Sequence, residues 1–209
     1  MQSTTSATVF ALTVFALAGP ALADDERLGL EITPIGGYRF GGTFQVEDAD
    51  TSWKVKDSSS FGLIVNLPHD TNTKYEFVYF EQSSDAELDG VTIGRSIVDL
   101  DQRTLQIGGT YEWGGDTVRP YLAASIGGTR IEAAGENDTF FSGSIGLGVL
   151  ISPDAQFGIR LEARAHGVFV SSDTDLLCRT GPDINICAIR VEGDMLSQID
   201  TFAGFVFRF

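Results

Sequence analysis

The chain of 209 residues carries 14 lysines and arginines against 29 aspartates and glutamates, a formal net charge of −15 at pH 7. So acidic a chain repels a phosphate backbone, which argues against nucleic acid as a partner. The length suits one domain after removal of a leader. Lysine is nearly absent and occurs only as Lys54, Lys56 and Lys74.

The N-terminus has the composition of a secretory signal peptide. An apolar stretch at 9–18 precedes the small-residue sequence Ala-Leu-Ala at 21–23, which predicts cleavage before Asp24. The stretch is shorter than a membrane-spanning helix requires, and no later apolar run is longer. We therefore expect a signal peptide at 1–23 and an exported β-barrel domain at 24–209, without a membrane helix.

The rest of the chain shows a period of two. In the sequence GLEITPIGGYRFGG, Ile32, Tyr38 and Phe40 alternate with Glu31 and Arg39, as in a β-strand with two different faces. Seven more segments repeat the pattern, and no helical period lies between them. The eight predicted strands are at 29–42, 60–67, 74–81, 103–113, 118–129, 140–151, 157–170 and 199–209.

Alternation alone does not say which face is inside. A lipocalin-like soluble barrel buries the apolar face, whereas a transmembrane barrel exposes it to lipid. The polar face favours the second, because it carries arginine and glutamate rather than lysine, and the arginine fork suits confined ion pairs. The expected interior network is Glu31, Arg39, Glu76, Glu112, Arg119, Arg160, Glu162, Arg164, His166 and Arg208.

Two further features support the transmembrane interpretation. Tyr75, Tyr111 and Trp113 lie near one set of turns, as in an interfacial aromatic girdle. The connections also alternate in length. Short ones at 68–73, 114–117 and 152–156 alternate with longer ones at 45–59, 83–100, 132–138 and 171–197, which is typical of outer-membrane barrels.

The last strand ends in the sequence FAGFVFRF, with Phe205, Phe207 and Phe209 at alternate positions. A closed barrel must pair its last strand with its first, because an open edge in lipid leaves backbone groups unpaired. With this ending, the whole mature chain resembles the small eight-stranded outer-membrane barrels of the OmpA/OmpX-like and opacity-protein-like group. The resemblance implies a Gram-negative outer-membrane location and recognition of the three phenylalanines by the barrel-assembly machinery.

The chain of such a barrel enters the outer membrane from the periplasm. Its short turns are therefore expected on the periplasmic side and its long loops outside the cell. Most of the negative charge then lies in the extracellular loops. It serves either to solubilise them, or to repel anionic partners or bridge divalent cations to lipopolysaccharide. The acidic spacings at 48–50 and 173–175 are too weak a pattern to predict a metal site.

Three roles remain open: a structural or surface-interaction barrel, a small-solute conduit, and a lipid A-modifying enzyme. The chain has two histidines, His69 in a short turn and His166 on the inward face. Neither has a marked serine nucleophile, and no metal or cofactor motif accompanies them. Eight strands enclose an interior that side chains can fill. We therefore expect the first role, without enzymatic activity, and with lipid and lipopolysaccharide as neighbours; the sequence does not identify the extracellular partner.

Cys178 and Cys187 lie in the longest loop, and eight residues separate them. In an oxidising compartment such a pair is expected to form a disulfide, which contributes about 2–4 kcal/mol by restricting the unfolded chain. The mature protein should therefore have a mass lower by two hydrogen atoms when measured without reductant. Labelling of free thiols in the native protein would contradict this prediction.

Overall fold

A computed structural model describes residues 29–41, 43–45, 52–89, 96–133, 136–153, 155–169, 178–181, 184–187 and 195–209. The predicted signal peptide, the cleavage site before Asp24 and the acidic spacings at 48–50 and 173–175 lie outside these ranges. Within them, no helix is long and apolar enough to cross a membrane. The described strands are β1 (Glu31–Phe40), β2 (Thr43–Gln45), β3 (Ser52–Val55), β4 (Ser58–Pro68), β5 (Thr73–Asp89), β6 (Ser96–Glu112), β7 (Val118–Ala133), β8 (Glu136–Ile151), β9 (Phe157–Phe169), β10 (Cys178–Gly181), β11 (Ile184–Cys187) and β12 (Met195–Arg208).

Eight of these strands form a closed antiparallel barrel. Neighbours follow the order β5, β4, β1, β12, β9, β8, β7 and β6, and β6 pairs back with β5. First and last strands are joined along their length, from Glu31 opposite Arg208 to Phe40 opposite Ile199. The predicted fold class, an eight-stranded antiparallel barrel, is confirmed.

Several predicted loops were too long. The β5–β6 ladder continues to Leu88 opposite Ser96, and the β7–β8 ladder continues to Ala133 opposite Glu136. These segments are rich in acidic and small residues and contain only scattered apolar ones, such as Leu88 and Ile97, so their sequence lacks a sustained apolar alternation. The strands nevertheless extend there, because paired backbone groups need no apolar side chains outside the lipid. β2 and β3 likewise extend the first hairpin into the region predicted as a loop at 45–59.

The two faces of the strands differ as the pattern predicted. Along β9, the residues at even positions from Gly158 to Val168 are buried. Those at odd positions are exposed, except for Gly167, which is partly exposed. The buried members include Arg160, Glu162 and Arg164, whereas Leu161 is 42% exposed. The polar face therefore lines the interior and the apolar face forms the outer surface.

Short turns close one end of the barrel, which we call the turn end; the opposite end is the loop end. In the turn at 69–72, the Asp70 carboxylate accepts hydrogen bonds from the backbone N–H groups of Asn72 and Thr73, each at 2.8 Å. Bonding with Thr73 and Asn72 lowers the pKa of Asp70 below its ordinary value. These hydrogen bonds therefore stabilise the turn fully when the pH is above the ordinary pKa of an aspartate. Their contribution is lost as the pH falls through the lowered pKa of Asp70.

The two cysteines are opposite each other in the small β10–β11 sheet. Cys178 pairs in register with Cys187 across an antiparallel ladder. Directly opposite residues in such ladders have Cα atoms about 4.5–5.5 Å apart, a spacing compatible with a disulfide. Their side chains are outside what the structure describes, so the disulfide stays a prediction.

Candidate functional site in the barrel interior

The charged side chains of the interior form three layers. The first layer lies at the turn end and joins the barrel's first and last strands. Glu31 accepts from Lys74 at 2.9 Å and from Arg208 at 2.7 Å. Lys74 also reaches Glu112 at 2.6 Å, and Arg119 lies 3.5 Å from the other oxygen of Glu112. These contacts link five strands near the periphery of the interior.

The second layer crosses the barrel. From β9, Arg160 donates to Asn66 on β4 at 3.0 Å and to Glu76 on β5 at 2.6 Å. Arg164 donates to the second Glu76 oxygen at 2.7 Å. Both arginines also pair with Glu162. Two guanidinium groups therefore share two carboxylates, all of them buried.

Small residues make room for this layer. A Cβ atom at Gly146 would lie 2.2 Å from Oε1 of Glu162, and one at Gly148 would lie 2.3 Å from the Tyr121 hydroxyl. Tyr121 donates from that hydroxyl to Glu162 at 2.6 Å. Its ring lies 4.6 Å below the Arg160 guanidinium, a cation–π distance. Gly146 and Gly148 on β8 are thus required by the size of the groups packed against them.

The third layer lies nearer the loop end. Arg39 forms a two-pronged pair with Asp200, with both N–O distances at 2.8 Å. Its remaining nitrogen donates to Gln82 at 3.2 Å and to Gln102 at 3.3 Å. His166 Nε2 is 2.8 Å from the second oxygen of Asp200.

Apolar side chains separate the second and third layers. The buried cluster contains Ile35, Ile64, Val78, Phe80 and Phe202. The centroids of the Phe80 and Phe202 rings are 5.5 Å apart. The Phe80 ring also packs edge-on against the His166 ring, with their centroids 5.3 Å apart. The Arg39 guanidinium lies 5.6 Å from the centre of the Phe80 ring, and that of Arg164 lies 5.9 Å from the centre of the Phe202 ring. Charged groups and aromatic rings therefore pack together across the interior.

All ten residues expected in the network face inward, and each has a charged group within ion-pair distance. Sequence reasoning missed Asp200, Lys74, Tyr121 and Asn66. Asp200 could have been found, because it shares the alternation of Arg208 along the last strand, and Lys74 shares that of Glu76. The other expected residues lie elsewhere. His69 is in the turn at 69–72, 4.9 Å from the Tyr75 ring, and the three C-terminal phenylalanines are on the outer face.

Comparison with known proteins defines the class of fold. Neither a protein-family model nor a curated protein matches the chain. Among solved structures, neisserial surface protein A is 10% identical, with a TM-score of 0.57 over 88% of this chain and 100% of that one. The N-terminal β-barrel domain of Pseudomonas aeruginosa OprF is 13% identical, with a TM-score of 0.44 over 87% and 98% of the two chains.

A third structure is the attachment invasion locus protein Ail of Yersinia pestis, solved with the heparin analogue sucrose octasulfate. It is 13% identical, with a TM-score of 0.43 over 86% of this chain and 99% of that one. The neisserial likeness and the closed strand order together identify the fold. The chain has the fold of the small eight-stranded outer-membrane β-barrels, which the sequence resemblance had implied.

Arg164→Ala tests whether the second layer holds the barrel together. Loss of this guanidinium leaves Glu76 and Glu162 sharing only Arg160, and breaking a buried pair costs about 3–5 kcal/mol. We expect the folded form to lose its heat-resistant gel migration at a lower temperature. The control is Arg103→Ala, since Arg103 pairs with Glu81 at 3.4 Å with about half of each side chain exposed, and such pairs contribute about 0–1 kcal/mol. Equal, negligible shifts for both variants would contradict the prediction.

Proposed function

We propose that the chain is an integral outer-membrane protein whose packed barrel presents acidic extracellular hairpins in a structural or surface-interaction role. The observation that carries the proposal is the apolar outer surface. Leu105 is 65% exposed, Ile107 58%, Ile126 59% and Leu147 59%. A protein in water rarely exposes a contiguous apolar surface of this kind, whereas lipid-facing strand positions require it.

Aromatic side chains support a membrane position at the turn end. Tyr75, Tyr111 and Trp113 are each about half exposed (52%, 53% and 41%). The Tyr111 and Trp113 rings stack 6.0 Å apart. Rings with an apolar body and a polar edge favour the headgroup region. The turn end would therefore lie at one interface, with the aromatic side chains as a girdle.

The position of the two termini supports the orientation. β1 begins and β12 ends at the turn end, where Glu31 is opposite Arg208. A chain delivered from the periplasm leaves both of these ends on the periplasmic side. The short turns are then periplasmic, and the long β5–β6 and β7–β8 hairpins extend outside the cell.

The interior contacts favour a packed barrel over a conduit. The second layer spans from β9 to β4 and β5 through Arg160, and buried rings lie directly above it. An eight-stranded barrel has an interior just wide enough for side chains to fill. The role is therefore assigned to the extracellular surface, and neither a solute conduit nor a lipid-modifying enzyme is proposed.

The extracellular hairpins are acidic on their exposed faces. Four acidic side chains are exposed on the loop-end side of the apolar outer surface, which we call the apolar band: Glu81, Asp99, Asp101 and Glu132. They would attract divalent cations, which link neighbouring lipopolysaccharide molecules. The protein's expected neighbours are outer-membrane lipid and lipopolysaccharide.

The C-terminal strand supports assembly by the barrel-assembly machinery. Phe205 and Phe209 are 66% and 61% exposed, and the Phe207 ring meets Phe157 on the neighbouring strand at 5.7 Å. These side chains form an apolar outer ridge on the strand that closes the barrel. Such a ridge is available for recognition before β12 pairs with β1.

Leu147→Arg tests the membrane proposal. Because Leu147 points outward, an arginine there would be harmless in water, but near the bilayer midplane it costs about 2–4 kcal/mol. We expect the variant to insert poorly, whereas the native chain should sediment with outer membranes, resist carbonate extraction and migrate anomalously on a gel until boiled.

The matched control is Gln156→Arg, which places the same charge in an exposed turn and should insert normally. Recovery of native protein and Leu147→Arg alike as soluble, folded material from the periplasm would contradict the proposed function.

A further inference from the structure

Two outward arginines lie side by side just beyond the apolar band. Arg103 on β6 is directly opposite Arg130 on β7, and both are exposed on the outer face. Like charges directly opposite in a ladder are destabilising. Every other strand arginine whose side chain the structure describes faces the interior. These are Arg39, Arg119, Arg160, Arg164 and Arg208.

The row below this pair is apolar and aromatic. One step toward the barrel's middle, Leu105 is opposite Gly128 and Tyr79, and Gly128 is opposite Phe141. Leu105 and Phe141 are 65% and 57% exposed. The two arginines, with Glu81 opposite Arg103, are thus the first charged groups beyond this apolar row at the loop end. In an inserted barrel this row would lie at the depth of the lipid headgroups.

Only one of the two arginines has an ion-pair partner among the described residues. Arg103 contacts Glu81 at 3.4 Å, with both side chains about half exposed (56% and 49%). Arg130 makes no ion pair with any residue in the described part of the chain. The next row outward contains Asp101 opposite Glu132. Both carboxylates are within reach of a long side chain, but neither forms an ion pair with Arg103 or Arg130 in the described part of the chain.

We propose that Arg103 and Arg130 bind the phosphate group of an anionic lipid in the outer leaflet. Two adjacent guanidinium groups can each donate paired N–H groups to one phosphate. A phosphate between them would replace their mutual repulsion with two attractions. The acyl chains of the lipid would then lie along the apolar surface that begins at Leu105 and Phe141. This inference rests on the proposed function, because only an inserted barrel brings the pair to the leaflet.

The test uses the full mature chain, refolded in neutral detergent and titrated with lipid A while native mass spectrometry counts bound lipid. Arg103→Gln and Arg130→Gln should each weaken binding roughly fivefold, as expected for one arginine near an anionic lipid surface. Arg179→Gln is the matched control, because Arg179 lies in the separate β10–β11 sheet, and it should bind as the native chain does. Glu81→Gln removes the competing carboxylate and should strengthen binding.

Two further arms identify the ligand. Lipid A stripped of its phosphates should bind the native chain no better than it binds the double variant R103Q/R130Q. Inorganic phosphate alone should compete only weakly, because it has no acyl chains. Equal binding of stripped and phosphorylated lipid, or an unchanged affinity in all arginine and Glu81 variants, would overturn the proposal. If inorganic phosphate displaced lipid A at concentrations similar to those of lipid A itself, the bound phosphate group would not need to come from a lipid, and the lipid part of the proposal would be overturned.

Failure of the site and failure of the proposed function can be told apart. Each variant's heat-modifiable gel migration shows whether the barrel is folded in detergent, and insertion of the native chain into vesicles is measured separately. A folded, inserted barrel whose lipid binding ignores the arginines overturns the site alone. A chain that never inserts overturns the membrane role on which the site depends.

Discussion

Pairing of the first barrel strand with the last is the constraint on which the rest of the structure depends. Once β1 and β12 are hydrogen-bonded, no barrel edge is left unpaired, and each of the eight barrel strands has one enclosed face and one outer face. The enclosed face can then hold charge only if the charges satisfy one another. The interior meets this condition through layers of arginine, glutamate, aspartate and amide groups, in which Arg160, Arg164, Glu76 and Glu162 connect opposite walls.

Closure therefore explains features that look unrelated along the chain. Arginine is commoner than lysine on the inward face, where its fork pairs with one carboxylate and still donates to further groups, as Arg39 does with Asp200 and two glutamines. Glycines on β8 admit the bulky groups of the second layer. The apolar residues displaced from the interior cover the outside, and the strand extensions beyond them carry exposed acidic side chains. The Arg103–Arg130 pair lies where these two outer surfaces meet.

The alternation in the sequence predicted the eight strands. The choice of inward face, and with it the fold class, also needed the arginine and glutamate residues of the polar face, the aromatic positions and the alternating lengths of the connections. The alternation did not predict where the polar hairpins end, because pairing continues to Leu88 opposite Ser96 and to Ala133 opposite Glu136 without an apolar signal. Partners within the network were also beyond its reach. Arg39 and Asp200 are 161 positions apart, and their meeting depends on strand order and register, which a period of two leaves unspecified. The outward arginine pair became visible only when the register placed its members opposite each other.

The central claim is that lipid surrounds the apolar face while the charged face is enclosed. Methyl NMR of the native chain in bilayer nanodiscs tests it directly, with a lipid-soluble and a water-soluble paramagnetic agent added in turn. The account predicts that the lipid-soluble agent broadens the methyl signals of outward Leu105, Ile126 and Leu147, whereas inward Ile64 and Leu150 escape both agents. Broadening of the outward set by the water-soluble agent, with no effect of the lipid-soluble one, would contradict the account.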